Sequence, residues 1–346
     1  MTNEEMKKVL KSKEYDFLRD NPHLGSNIIL LTVGGSHAYG TNIETPDHVS
    51  DLDIRGIALN SSEEILLGED FEQVTDIETD TVIYSFNKII KLLLNCNPNT
   101  IEMLGNKPEN YFYLSPIGQK LIDNAHMFLS KKACNSFGGY ANQQLYRLNQ
   151  KAAHQMSQSE LENHILKTLE FMQTDFTKKY AHYPNDAIKL YIDDAVQEGY
   201  DTEIFMDVNL THYPLRDYCN MWNELQNTVR QYGKIGKRNE KAIEHGKIAK
   251  HSMHLIRLYM MCLDILNKEQ IITYREDEHD LLMDIRNGKY LDSNDQPTPE
   301  FFKMVDAYEK ALDYAKNHTN LPEFPDCKAI NEFVMYVNKK IVKGEV

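Results

Sequence analysis

Residues Val33–Gly56 read VGGSHAYGTNIETPDHVSDLDIRG. Two glycines and a serine close an apolar run, NIILLTV (27–33), and fifteen residues after Ser36 comes Asp51-Leu52-Asp53. The run is short, β-branched and bounded by turn residues, which predicts a buried strand. Glycines at its end let the backbone approach a ligand and adopt unusual φ. Successive N–H groups at such a turn, with a helix start behind them, attract phosphate oxygens, and the Ser36 hydroxyl adds a donor. SDLDIRGIAL (50–59) predicts a second strand, on which residues two apart share a face, so Asp51 and Asp53 project together. Paired carboxylates repel, and burying them unpaired is costly. A divalent cation resolves that conflict, since Mg²⁺ takes a few carboxylates together with phosphate oxygens. A lone Asp-x-Asp is more often a solvated turn. Here the pair opens an apolar strand one loop after a glycine-serine turn.

Working outward, residues Glu4 to about Arg19 suit a helix closed by DNPHLG. DTVIYSF (80–86) predicts a third strand flowing into a helix, NKIIKLLLNC, that stops at Asn97-Pro98. Strands and helices mix up to about residue 105. From about Ser115 onward apolar residues recur at helical spacing in GQKLIDNAHMFLS, GYANQQLYRLNQKAA, ELENHILKTLEFMQTDF and HGKIAKHSMHLIRLYMMCLDIL. Tyr180–Thr228 is less regular, with a small hairpin expected around EIFMDVNLTHYPL, and NGKYLDSNDQPTPE separates the last two helices.

The 346 residues are 41% hydrophobic and 26% charged, a globular mix with enough apolar residues for a core. The net charge of −14 excludes a general nucleic-acid or membrane-surface binder, so a polyanion needs a local basic patch. Five scattered cysteines without a CxxC pair read as reduced thiols of a cytoplasmic protein with no disulfide partner. Neither a secretory leader nor a membrane span is expected. No Ser-His-Asp order, Walker loop, HExxH or zinc spacing occurs.

One segment reverses the charge. Arg230 to Arg257 holds eight Lys or Arg against Glu240 and Glu244, a net of +6 over 28 residues. Lys247, Lys250, His254 and Arg257 follow 3–4–3 spacing and share a helix face. Ile248, Leu255, Tyr259, Cys262 and Leu266 fall on the apolar face opposite. A solvated charged face competes with an anion-binding stripe, and the loop GKIGKRNEK (233–241) is an alternative contact for a polynucleotide. Arg55 is expected to point away from the Asp pair into a structural salt bridge. His279 and Arg286 read as ordinary helix surface.

Gly35-Ser36 followed by Asp51-Leu52-Asp53 resembles the nucleotidyltransferases of the DNA polymerase β superfamily, and more closely the predicted nucleotidyltransferases found beside RNA ligases. The likeness extends through Tyr84–Lys88 and Asn97-Pro98-Asn99-Thr100-Ile101-Glu102-Met103-Leu104, with weaker echoes in SFGGYANQQL and KHSMHLIRL. The loop from Gly40 to Ser50, with its TPDH, is longer than the family pattern. The resemblance implies an α+β fold: a small polymerase-β-type head with a mixed sheet over residues 1–110, then a mostly helical body over 111–346. It implies a metal-dependent enzyme that moves a nucleoside monophosphate from an NTP to an acceptor hydroxyl, the acceptor being RNA such as a tRNA end. A protein or small-molecule acceptor, or a catalytically silent nucleotide- or RNA-binding module, are the alternatives. Asp51, Asp53 and Asp80 are then the catalytic and Mg²⁺ (or Mn²⁺) carboxylates. Asp80 is chosen because it opens the strand expected beside the Asp pair; Asp76, Glu78 and Glu102 remain alternatives. Gly35, Ser36, His37, Lys247, Lys250 and Arg257 are the implied nucleotide contacts.

Overall fold

A computed structural model describes residues 2–45, 48–153, 188–194, 196, 202–209, 211–212, 214–220, 222–223, 226, 247–293 and 295–346. Two compact units emerge. The larger draws on 1–145, 249–290 and 298–346, the smaller on 146–248 and 291–297. The loop 233–241 and the stretch ELENHILKTLEFMQTDF lie outside the described residues. No helix among the described residues is long and apolar enough to cross a membrane.

The N-terminal helix is shorter than expected. α1 (Asn3–Val9) starts with a reciprocal Thr2–Glu5 cap, and a short α2 (Phe17–Asp20) follows only after a 3₁₀ turn at Lys13–Tyr15. The buried residues explain the break: Leu10 to Tyr15 is a five-residue step, off the helical period. Arg19 satisfies the freed carbonyls, donating to Leu10 O at 3.0 Å and Ser12 O at 3.2 Å.

The sheet elements follow the expected order. β1 (Ile28–Val33), all buried, runs into α3 (Gly35–Tyr39). A two-residue ladder, β2 (Glu44–Thr45) with β3 (His48–Val49), interrupts the long loop. Next come β4 (Ile54–Ala58), α4 (Ser62–Leu67), β5 (Gln73–Asp76) and β6 (Thr81–Ser85). Then α5 (Phe86–Leu93), α6 (Pro98–Ile101) and β7 (Tyr111–Leu114) complete the region. Asn97 caps α6 with Pro98 at its first position, where the missing N–H is no loss. The five strands order as β5-β6-β4-β1-β7. β4 and β6 are parallel and the other neighbours antiparallel, so the sheet is mixed and the fold is α+β.

Both sheet faces are covered. On one, Leu10, Tyr15 and Leu18 pack on Leu31, Ile54 and Ile83. On the other, Leu30, Ile57, Phe86 and Leu93 meet helices from the later chain. The later helices are α7 (Pro116–Asp123), α8 (Lys132–Ala153), α9 (Lys247–Lys268), α10 (His279–Arg286), α11 (Pro299–His318) and α12 (Cys327–Lys343), and all but α10 contribute to that core. Met261 and Ile265 of α9 and Phe333 and Val337 of α12 join that core. In the smaller unit, β8 (Ile188–Asp194) pairs antiparallel with β9 (Thr202–Val208). The hairpin expected around residues 203–215 therefore turns back on the preceding segment instead of folding within itself.

Candidate active site

Strand register assembles the site at one end of the sheet. Val33 pairs with Ile54, and Gly34 N donates to Asp53 O at 2.8 Å, one rung further. Ile54 pairs with Thr81 across the parallel ladder, and Ile54 N donates to Asp80 O at 3.2 Å. Asp53 and Asp80 are thus the residues just ahead of two paired strands, beside the turn that leaves β1. Asp80 takes φ 44°, a left-handed conformation that Asp tolerates better than most residues, as the β5–β6 turn closes.

The glycine turn touches this pair. Gly35 has φ 56°, and a Cβ there would lie 1.7 Å from Asp53 Oδ2. At Gly34 it would lie 2.9 Å from Arg55 Cγ. The turn and the carboxylate therefore occupy one another's space, which only residues without side chains permit.

Charge at the pair is tightly balanced. Arg55 Nη2 donates to Asp53 Oδ1 at 3.4 Å and Asp80 Oδ1 at 3.2 Å, while its Nη1 donates to Asp80 O at 2.6 Å. Burial, and then the hydrogen bond with Asp80, pushes the Asp53 carboxyl up to about 7. That bond holds Asp80 below the usual carboxylate range. Asp53 is therefore the carboxyl that holds a proton more readily and Asp80 the one that ionises more readily. The exposed Lys250 on α9 adds positive charge felt by both carboxylates.

Several expectations need correction. β4 starts at Ile54, so Asp51 and Asp53 lie in the approach to the strand, and Asp51 is exposed. Arg55 does not point away from Asp53, because residues 53 and 55 share one parity of the alternation. The stripe on α9 divides. Lys250 is exposed, whereas Arg257 is only 3% exposed and donates from Nη1 to Glu102 Oε2 at 3.1 Å. His254 packs edge-on to Tyr39, with ring centroids 6.0 Å apart. The Lys247 side chain lies outside the described residues.

Glu102 also accepts from the Tyr39 hydroxyl at 2.9 Å, and the Arg257 guanidinium lies 3.6 Å over that ring. Glu102 is therefore committed to the core. Asp76 accepts from Thr79 N and Oγ1 within its turn, and Glu78 is exposed. Of the acidic alternatives to Asp80, none joins Asp53. Ser36 and His37 are largely buried in α3. The His37 ring bonds the Ser50 backbone, burial lowers its pKa, and its Nε2 has no partner.

Arg286 is no surface residue. It is 8% exposed, donates from Nη2 to Ser50 Oγ at 3.4 Å, and leaves Nε and Nη1 without partners. A signal for this exists in the sequence: Leu282, Ile285 and Arg286 fall on one helical stripe, so Arg286 stands where an apolar residue is expected. His279 Nε2 contacts Gly40 O at 2.9 Å, tying α10 to the end of α3.

Among the described residues no three of His, Cys, Asp and Glu converge closely enough to enclose a metal ion. The Asp53–Asp80 pair nonetheless suits a hard divalent cation. It offers two carboxylates whose Oδ1 atoms converge on one nitrogen of the Arg55 guanidinium, a positive charge that a cation would replace.

A family model described as "RNA repair pathway DNA polymerase beta family" matches residues 2–336. No curated protein and no solved structure matches the chain.

Proposed function

Because the chain belongs to the RNA repair pathway DNA polymerase beta family, a family of polymerase-β-like nucleotidyltransferases, we propose that it transfers a nucleoside monophosphate from an NTP to a hydroxyl at an RNA end, such as that of tRNA. The observation that carries this reading is the contact of Gly35 with Asp53, beside Asp80. It joins a phosphate-accommodating turn to the carboxylates that a phosphoryl-transfer site requires.

In this reading Asp53 and Asp80, with Asp51 ahead of them, hold Mg²⁺ or Mn²⁺. The bound metal neutralises phosphate charge and eases ionisation of the acceptor hydroxyl. The remaining work falls to the chain. Gly35 and Ser36 admit the β- and γ-phosphates close to the backbone. Lys250, free at the mouth of the pair, and Lys247 bring positive charge to the triphosphate. Arg286, with two guanidinium nitrogens unpartnered beside Ser50, is a further cation for it, whereas Arg257 acts by positioning Glu102 and Tyr39. Asp80, ionised and more exposed than Asp53, is the group to take the hydroxyl proton. The acidic chain admits RNA through the Lys237–Arg238 loop and not over its whole surface. Scattered free cysteines fit a cytoplasmic setting.

The test is incubation with each α-labelled NTP, Mg²⁺ or Mn²⁺, and separate pools of tRNA, other RNA and protein. Label in an RNA pool that disappears in Asp51→Asn, Asp53→Asn supports the reading. Label in the protein pool moves the acceptor to a side chain, and label in no pool favours a binding module. Lys237→Glu with Arg238→Glu is expected to abolish RNA binding while sparing NTP binding.

A further inference from the structure

Three arginines are buried among the described residues, and two of them are answered by acids. Arg257 pairs with Glu102, and Arg275 pairs with Asp264. Arg286 of α10 is more than nine-tenths buried and has only the Ser50 hydroxyl, which accepts from its Nη2 at 3.4 Å. Its Nε and both hydrogens of its Nη1 find no acceptor among the described residues. Burial alone pushes the guanidinium below its ordinary value, with no acid offsetting it. An unpaired buried charge is expensive to keep. Leu282 and Ile285 share its stripe, so a leucine or methionine would fill the place at less cost.

The neighbouring groups are donors as well. The chain between α3 and Ser50 folds back on itself: Thr41 N donates to Ser36 O at 2.9 Å, and Ile43 N donates to Ser50 Oγ at 2.8 Å. α10 lies against this fold. His279 Nε2 meets Gly40 O at 2.9 Å, and Arg286, seven residues on, shares that helix face. With its oxygen accepting from both Ile43 N and Arg286, Ser50 has its own hydroxyl proton to give. Thr41 Oγ1 and His37 Nε2 are buried in the same stretch without partners. A phosphoryl group, with oxygens on several sides, answers donors that arrive from a loop and a helix together, and it favours arginine above other cations. Ser50 stands three residues before Asp53, so at most about 11 Å of chain separates this set from the carboxylate pair.

We propose that Arg286, with Ser50 and Thr41, forms a subsite for the terminal phosphate of a nucleoside triphosphate and selects triphosphates over diphosphates. This rests on the nucleotidyl-transfer reading and gives Arg286 a duty that Lys250 does not share. Lys250 is exposed and serves any polyphosphate at the pair. Arg286 is buried and is answered only by a ligand long enough to reach it from Asp53 and Asp80. A nucleotide one phosphate shorter, held by the same carboxylates, leaves the guanidinium unpaired, and a site discriminates most sharply when its buried polar groups would go unanswered.

The experiment measures by calorimetry, with Mg²⁺, the binding of each of the four NTPs and the matching NDPs to the full chain. Wild type is expected to bind its preferred NTP about tenfold to hundredfold more tightly than the NDP, the scale of one charge-assisted contact. Arg286→Met is expected to erase that ratio through the NTP alone, with NDP affinity unchanged, and Thr41→Val to lower it in part. In melts without ligand, Arg286→Met is expected to match or exceed wild type, because an unpaired buried charge is gone. Inorganic tripolyphosphate is expected to raise the melting temperature of wild type and not that of the variant. A structural arginine would do the reverse: the variant would melt lower and keep the ratio, which overturns the proposal. A wild type that binds NTP and NDP alike, or that tripolyphosphate does not stabilise, overturns it without any variant. The labelling assay reports separately on the reading beneath it. Label in an RNA pool with an unchanged ratio in Arg286→Met removes the subsite alone. No label in any pool, with the ratio still dependent on Arg286, removes nucleotidyl transfer and leaves the subsite.

Discussion

The Arg257 guanidinium donates to the Glu102 carboxylate at 3.1 Å across 155 residues of sequence, and both groups are nearly excluded from water. The pair joins α9 to the 3₁₀ turn after α6, with the Tyr39 ring beneath the guanidinium. Removing one partner strands the other charge, which costs about 3–5 kcal/mol. Arg257→Met is therefore expected to lower thermal stability far more than Glu102→Gln with Arg257→Met. A direct triphosphate contact at Arg257 would instead raise the KM for NTP with little change in melting temperature.

Gly35→Ala places a methyl carbon on Asp53 Oδ2 and forces a side chain into φ 56°. The backbone term is about 1–2 kcal/mol, and displacement of Asp53 misaligns the site. Loss of about 100-fold in kcat is expected, on the scale of a misplacement near 1 Å, with only a modest fall in melting temperature. Steady-state kinetics and calorimetry separate the two effects.

Asp53→Asn removes a carboxyl whose folded pKa is raised. The native state binds more protons than the unfolded chain between the ordinary value of 3.8 and about 7, so this group's contribution to stability falls as pH rises through that window. The variant is expected to lack nucleotidyl transfer. Its stability relative to wild type should rise from pH 4 to pH 8, as followed by urea melts without metal. A flat difference over that range would contradict the raised pKa of Asp53.

Lys250→Ala leaves the core intact, because the residue is exposed. Removing its charge is expected to weaken NTP binding by about tenfold, in line with one charge-assisted contact. It should also move the acidic limb of the rate profile upward in pH, since both carboxylates lose a cation. Titration of NTP binding and a pH–rate series read the two effects.

His254 is held neutral well below its ordinary value of 6.5, by burial first and then by Arg257, Lys250, His251 and Arg286. Its folded pKa is depressed, so its contribution to stability is present above pH 6.5 and is lost as pH falls below it. Melting temperature is expected to drop between pH 7 and pH 5, and His254→Gln should flatten that slope. His37, also depressed, accounts for part of the remainder.

What was legible in the sequence follows from range. β1, β4 and β6 announce themselves as apolar runs, and the spacing from Gly35 to Asp53 is a local signature. β5 and β7 are four residues each and mostly half-exposed or exposed, so their apolar signal is weak. The charges on α9 and α10 misled for another reason. Arg257 and Arg286 lie on buried stripes with Ile256 and Met260, and with Leu282 and Ile285. Their partners, Glu102 and Ser50, come from distant sequence, so helical spacing alone separates a buried cation from a solvated one poorly.

The core over Phe86 is closed by residues near the far end of the sequence: Phe333 stacks at a tilt, with ring centroids 6.0 Å away, and Val337 is fully buried beside it. A polypeptide emerging from the ribosome therefore carries its completed sheet for about 220 residues, from Leu114 to Phe333, before those side chains exist to cover it. Each such side chain withholds about 1.5–3 kcal/mol of burial until then. Closure of this face of the sheet is accordingly a late step in the folding of the chain. Stalled or prematurely terminated products that stop short of α12 present an apolar face suited to chaperones and proteases.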